Sequence, residues 1–148
     1  MLEAFMQKED VLLGISCRDW QEALDKGAEP LLRREIIKPA YVEAIKKNHQ
    51  EMPYMVIAPG IMLAHARPEC GAQAIGITLM TLKEPVSFGS ELNDPVSLVI
   101  TLATPDDKSH VKLLEALTEF LMDSDKLQAF QQVTNAEEAL KILAKGED

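Results

Sequence analysis

Apolar positions along this chain follow a helical rhythm at both ends and a strand rhythm in the middle. Val11-Leu12-Leu13-Gly14-Ile15 is a short apolar run of strand length. Asp19 then stands as an N-cap ahead of Trp20, Ala23, Leu24, Leu31 and Leu32, whose spacing predicts a helix with a kink or break before Pro30. Pro39, in the first turn of a second helix, leads through Tyr41, Val42 and Ile45 to about Asn48. The pattern then changes. Tyr54–Ala58, Ile61–Ala64 and Ala74–Leu82 are β-rich runs separated by turn formers, and Val96–Ala103 is apolar enough for the centre of a sheet.

Helical spacing returns at Thr104-Pro105-Asp106-Asp107, which reads as a hydroxyl cap with proline at the first helical position and acid three residues on. That helix is expected to reach about Met122 and to bury Val111, Leu114, Leu117 and Leu121. Two shorter helices follow, one around Lys126 to Val133 and one capped by Asn135 with Glu138 in the box position. Helices around a strand-rich centre predict one α/β domain over residues 1–148, with a mixed parallel and antiparallel sheet in a layered arrangement. Met52, Met55, Met62 and Met80 read as core filling.

Charge narrows the choice of partner. Twenty-four acidic against 15 basic residues leave a formal charge of −9, which argues against nucleic acid or an anionic membrane and favours a partner with a positive patch. The acidic N-terminus lacks the order of a signal peptide, and the longest uncharged stretch, Met52–Ala66, is too short to span a bilayer and is broken by Pro53, Pro59 and Gly60. A cytoplasmic protein with Cys17 and Cys70 as reduced thiols is expected.

The chemistry must rest on few residues. His49, His65 and His110 are the only histidines, without metal-ligand spacing, and there is no nucleophile elbow, P-loop or dinucleotide fingerprint. His65 follows the run Ile61-Met62-Leu63-Ala64 and precedes Ala66-Arg67-Pro68-Glu69, where a strand gives way to a loop. A rigid strand end is a common seat for an active group, and neutral imidazole is a good nucleophile near neutral pH, although a histidine there can equally be structural. Arg67 suits a phosphoryl anion through bidentate hydrogen bonds, or else pairs with Glu69. His49 reads as a surface residue and Cys70 as a buried or idle thiol.

The segment Ala58-Pro59-Gly60-Ile61-Met62-Leu63-Ala64-His65-Ala66-Arg67-Pro68-Glu69 resembles the phosphorylation-site motif of the mannitol/fructose-type enzyme IIA domains of bacterial sugar phosphotransferase systems. Its longer signature looks most like the ascorbate-type branch. The likeness continues through Leu82–Phe88, Asn93–Val96, Ser109–Leu114 and Thr134–Glu138, so it covers nearly the whole chain.

The resemblance implies a mixed β-sheet flanked by helices on both faces. It implies a phosphotransferase that accepts a phosphoryl group from the phosphocarrier HPr and hands it to an enzyme IIB component, with a IIC membrane permease served indirectly. His65 matches the accepting histidine. His110 matches a second histidine that hydrogen-bonds the phosphoryl group. The residues themselves support that second role, because His110 falls in the first turns of a helix, where free N–H groups and the dipole favour phosphate. No metal or organic cofactor is called for. Several relatives carry an arginine before the phosphorylation strand, whereas Lys46-Lys47-Asn48-His49-Gln50 has none; Asn48, His49 or Arg67 could take its place. A regulatory protein of the same fold, switched by phosphorylation of His65, is the alternative.

Overall fold

The computed structural model describes residues 1–52 and 54–144; Pro53 and the last four residues of the expected 1–148 domain lie outside the described residues. Five strands, β1 (Val11–Ile15), β2 (Val56–Ala58), β3 (Ile61–Ala64), β4 (Gly76–Val86) and β5 (Val96–Ala103), form one sheet in the order β1-β4-β5-β3-β2. β1 runs parallel to β4 and β3 parallel to β5, while the β4–β5 and β2–β3 pairs are antiparallel. The sheet is therefore mixed, as expected.

Strand alternation divides the core in two. Met62, Ala64, Met80, Leu82 and Val99 face one layer, built by α1 (Trp20–Arg33) and α2 (Pro39–Glu51). Ile61, Ile77, Leu79, Leu98, Ile100 and Leu102 face the other, built by α3 (Asp107–Met122), α4 (Ser124–Gln132) and α5 (Ala136–Ala144). Helices thus cover both faces, which is why the central strands read as continuous apolar runs. α1 sits very close to the sheet: a Cβ on Gly27 would come within 2.9 Å of Thr101 Oγ1, and the Gly27 carbonyl accepts from Thr78 Oγ1 at 2.6 Å.

Several local expectations need correction. α1 does not break before Pro30; the proline is buried within the helix, which ends a turn later at Arg33, so the cost is the one helical hydrogen bond that an N–H there would have given to the Lys26 carbonyl. α3 starts at Asp107 and is capped by Asp106, whose carboxylate accepts from Ser109 N, so Thr104 is not its cap. Its buried stripe is Leu113, Ala116, Leu117 and Phe120, a regular i, i+3, i+4, i+7 set; Leu114 and Leu121 only flank it, and Val111 is exposed. Met55, Met62 and Met80 fill the core, whereas Met52 stands out in solvent beyond the end of α2.

Candidate active site

Parallel pairing of β3 with β5, Ala64 against Thr101, brings the C-terminal ends of both strands to one edge of the sheet. His65 follows β3 directly. Thr104 follows β5, and the chain then turns into α3, whose first turn carries His110. The sheet therefore holds side by side the end of β3, which His65 follows, and the end of β5, whose following helix carries His110, and the two histidines line one solvent-open cavity of about 590 Å³. His65, His110 and Arg67, the three residues singled out from the sequence, all line it.

The ring of His65 is half-buried and its Nδ1 lies 2.9 Å from the carbonyl oxygen of Leu63. A carbonyl can only accept, so Nδ1 carries the proton and neutral His65 keeps its lone pair on Nε2. That nitrogen is the nucleophile of the ring. Tyr54, largely exposed, sets its ring edge-on to His65 with centroids 6.5 Å apart. Tyr41, buried in α2, accepts from Ala66 N at 3.1 Å and donates to the Leu102 carbonyl at 2.8 Å, joining the residue after His65 to β5.

His110 Nδ1 lies 3.2 Å from Thr104 Oγ1, and Thr104 is buried at the floor of the cavity edge. At the N-terminus of α3, the anion seat expected from the sequence, one of the free N–H groups already has a side-chain partner. Asp106 satisfies the Ser109 N–H itself, and that hydrogen bond, with a further one from the Ser109 side chain, holds its carboxyl below the usual range. Asp107 and Glu51 add two more carboxylates to the cavity lining, where Arg67 is the one Lys or Arg among the described lining residues. Arg67 is exposed and forms no ion pair with Glu69 among the described residues.

His49 is not a surface residue. It is 3% exposed, wedged edge-on between Trp20 (4.9 Å) and Phe88 (5.6 Å), with Nε2 donating to the Phe88 carbonyl at 2.7 Å. Of the candidates for the missing arginine's position, Asn48 and Arg67 reach the cavity and His49 does not. Cys70 also lines it, half-buried. Thr104, Tyr41 and Tyr54 carry no site signal in the sequence: Thr104 reads as a cap, and nothing in their spacing distinguishes the two tyrosines from core or surface residues.

A mixed sheet lies between two helical layers, and at one edge of it His65, with a lone pair on Nε2, shares a cavity with His110, a set chemically able to carry a group covalently on imidazole. The chain belongs to the family described as the phosphoenolpyruvate-dependent sugar phosphotransferase system, EIIA 2, whose model matches residues 4–146. IIA components of that system are phosphotransferases that act through a phosphohistidine. The chain is similar to the ascorbate-specific IIA component of Salmonella typhi, with 31% identity over 143 residues, 95% of this chain and 93% of that one. The solution structure of the mannitol-specific cryptic IIA enzyme of Escherichia coli superposes with a TM-score of 0.89 at 33% identity, covering 98% of this chain and 99% of that one. A complex of the mannitol IIA enzyme with phosphorylated enzyme IIB from Escherichia coli gives a TM-score of 0.81 at 25% identity, covering 94% and 96%. Among the described residues no helix is long and apolar enough to cross a membrane.

Proposed function

We propose that this chain accepts a phosphoryl group from HPr on His65 Nε2 and passes it to an enzyme IIB component, in the cytoplasm, during uptake of a sugar. The observation that carries this reading is the hydrogen bond from His65 Nδ1 to the Leu63 carbonyl, which leaves the Nε2 lone pair for the cavity. In the accepting step that lone pair attacks phosphorus. The new N–P bond forms as the N–P bond to the donor's histidine breaks, and the electron pair returns to the donor's ring. The second step reverses the roles, with His65 as leaving group and the partner's nucleophile attacking.

Such transfers rest on positioning and on stabilising charge over three phosphoryl oxygens. His110 supplies a hydrogen bond to those oxygens, and Arg67 at the rim supplies positive charge. The carboxylates of Glu51, Asp106 and Asp107 offset much of that charge, so a partner arriving with a basic face completes the neutralisation. Transfer to IIB is supported by the relative solved together with a phosphorylated IIB. An ascorbate-like sugar is supported by the signature around His65 and by the ascorbate-specific relative. Phosphorylation of ascorbate, against mannitol, in assays where the chain is combined with IIB and IIC proteins of the ascorbate type or of the mannitol type distinguishes the two substrates.

The test of the carrier role is incubation with phosphoenolpyruvate, enzyme I and HPr, followed by intact mass analysis. One acid-labile, base-stable phosphoryl adduct is expected. No increment, or an adduct mapped to serine or aspartate, overturns the reading.

A further inference from the structure

Two hydrogen bonds of different kinds hold the two histidines of the cavity. His65 Nδ1 meets a backbone carbonyl, which accepts only, whereas His110 Nδ1 meets the hydroxyl of Thr104 at 3.2 Å, which can donate or accept. Thr104 is 4% exposed, and His110 Nδ1 is the one partner its hydroxyl has among the described residues. If that hydroxyl accepted from Nδ1–H, its own proton would have no protein acceptor among the described residues and would be left to the water of the cavity. That arrangement would also turn the lone pair of Nε2 on the cavity, where it would repel phosphoryl oxygens. If the hydroxyl donates to Nδ1, both problems disappear.

We propose that Thr104 is a positioning residue for the transfer: its hydroxyl donates to His110 Nδ1 and so holds neutral His110 as the tautomer whose Nε2–H is presented to the phosphoryl group. The inference rests on the reading of His110 as a phosphoryl-binding residue given above. The site then contains two imidazoles in opposite tautomers, a lone pair on Nε2 of His65 to attack and a proton on Nε2 of His110 to receive charge. The geometry also accounts for Thr104 not capping α3. Asp106 takes the capping role two residues later, which leaves the Thr104 hydroxyl at the rigid end of β5 for the imidazole.

The test uses the full chain with phosphorylated HPr as the donor, in single-turnover transfer with native circular dichroism as the fold control. Thr104→Val removes the donor at similar shape, and loss of one hydrogen bond of ordinary strength slows transfer on the order of tenfold. Thr104→Ser keeps the hydroxyl and restores most of the rate. In a His110→Ala background, Thr104→Val adds no further loss. Long-range proton–nitrogen spectra of the neutral imidazoles give a readout that a purely structural role would not move. Wild type and Thr104→Ser show His110 protonated on Nε2, and Thr104→Val shows a mixture. Wild-type rates in Thr104→Val, losses that multiply in the double variant, or a wild-type His110 protonated on Nδ1 would each overturn the proposal. His110→Ala transferring as wild type would instead overturn the phosphoryl-binding reading beneath it, and the nitrogen spectra would still decide the tautomer.

Discussion

The hydroxyl of Tyr41 accepts a hydrogen bond from the backbone N–H of Ala66 at 3.1 Å, one residue beyond His65. The same hydroxyl gives its proton to the Leu102 carbonyl at 2.8 Å, with the Ala66 carbonyl at 3.2 Å as a second acceptor. A single buried group in α2 therefore ties the segment after β3 to β5, two residues before Thr104. The spacing of the two histidines depends on that tie as well as on the sheet, because β3 pairs with β5 only as far as Ala64 and Thr101. Burial pushes the Tyr41 hydroxyl up to about 12 from its usual 10.0, although the Ala66 hydrogen bond works in the opposite direction.

Tyr41→Phe is expected to lower the unfolding free energy near neutral pH by about 1–3 kcal/mol, because it leaves the Ala66 N–H without its partner. The pH dependence has a definite sign. The folded state keeps Tyr41 protonated while the unfolded chain ionises it, so the stability it contributes is present below the ordinary value of 10.0 and is lost as pH rises towards about 12. Urea unfolding of wild type and variant should show a gap that narrows above the lower of these values. A gap that widens there would contradict the buried, neutral hydroxyl.

His49→Ala is expected to behave as a core truncation and not as a loss of chemistry. The ring fills the space between Trp20 and Phe88 and closes the Phe88 carbonyl. Removing it should cost about 2–4 kcal/mol, measured by urea unfolding, as for other large-to-small core changes. Peptide mapping of the phosphorylated wild type should find no label on His49. A stability change below measurement would show that the residue is not part of the core.

The sequence makes some elements plain because local rules and tertiary demand agree. β3 and β5 run over the residues that the apolar runs mark, Asp19 caps α1 by accepting from Glu22 N, and Asn135 caps α5 by accepting from Glu138 N. His65 is legible for the same reason, since a strand end followed by a loop is local information. The cap of α3 is not, because Thr104, Asp106 and Asp107 are all acceptable caps by residue type, and β5 ends at Ala103 as its apolar run marks, so nothing local chooses among them. The burial of His49 was readable in part: with Tyr41 and Ile45 it completes an i, i+4, i+8 stripe on α2. Its polar ring argued otherwise, and the acceptor that satisfies it, the Phe88 carbonyl, lies 39 residues away. Tyr41 is legible as a helix residue but not as a clamp, because its partners are backbone groups far away in the chain, in β5 and in the segment after β3.

Whether His65 is the group that takes the phosphoryl is decided by one comparison. Wild type and His65→Gln are incubated with phosphoenolpyruvate, enzyme I and HPr, with intact mass followed over time and the site mapped by peptide mass. Glutamine keeps a polar side chain at the end of β3, so circular dichroism should stay native. Wild type should gain one phosphoryl group, located on His65, and His65→Gln should gain none at any time. A folded His65→Gln that still becomes phosphorylated, on His110 or elsewhere, would show that His65 is not the acceptor.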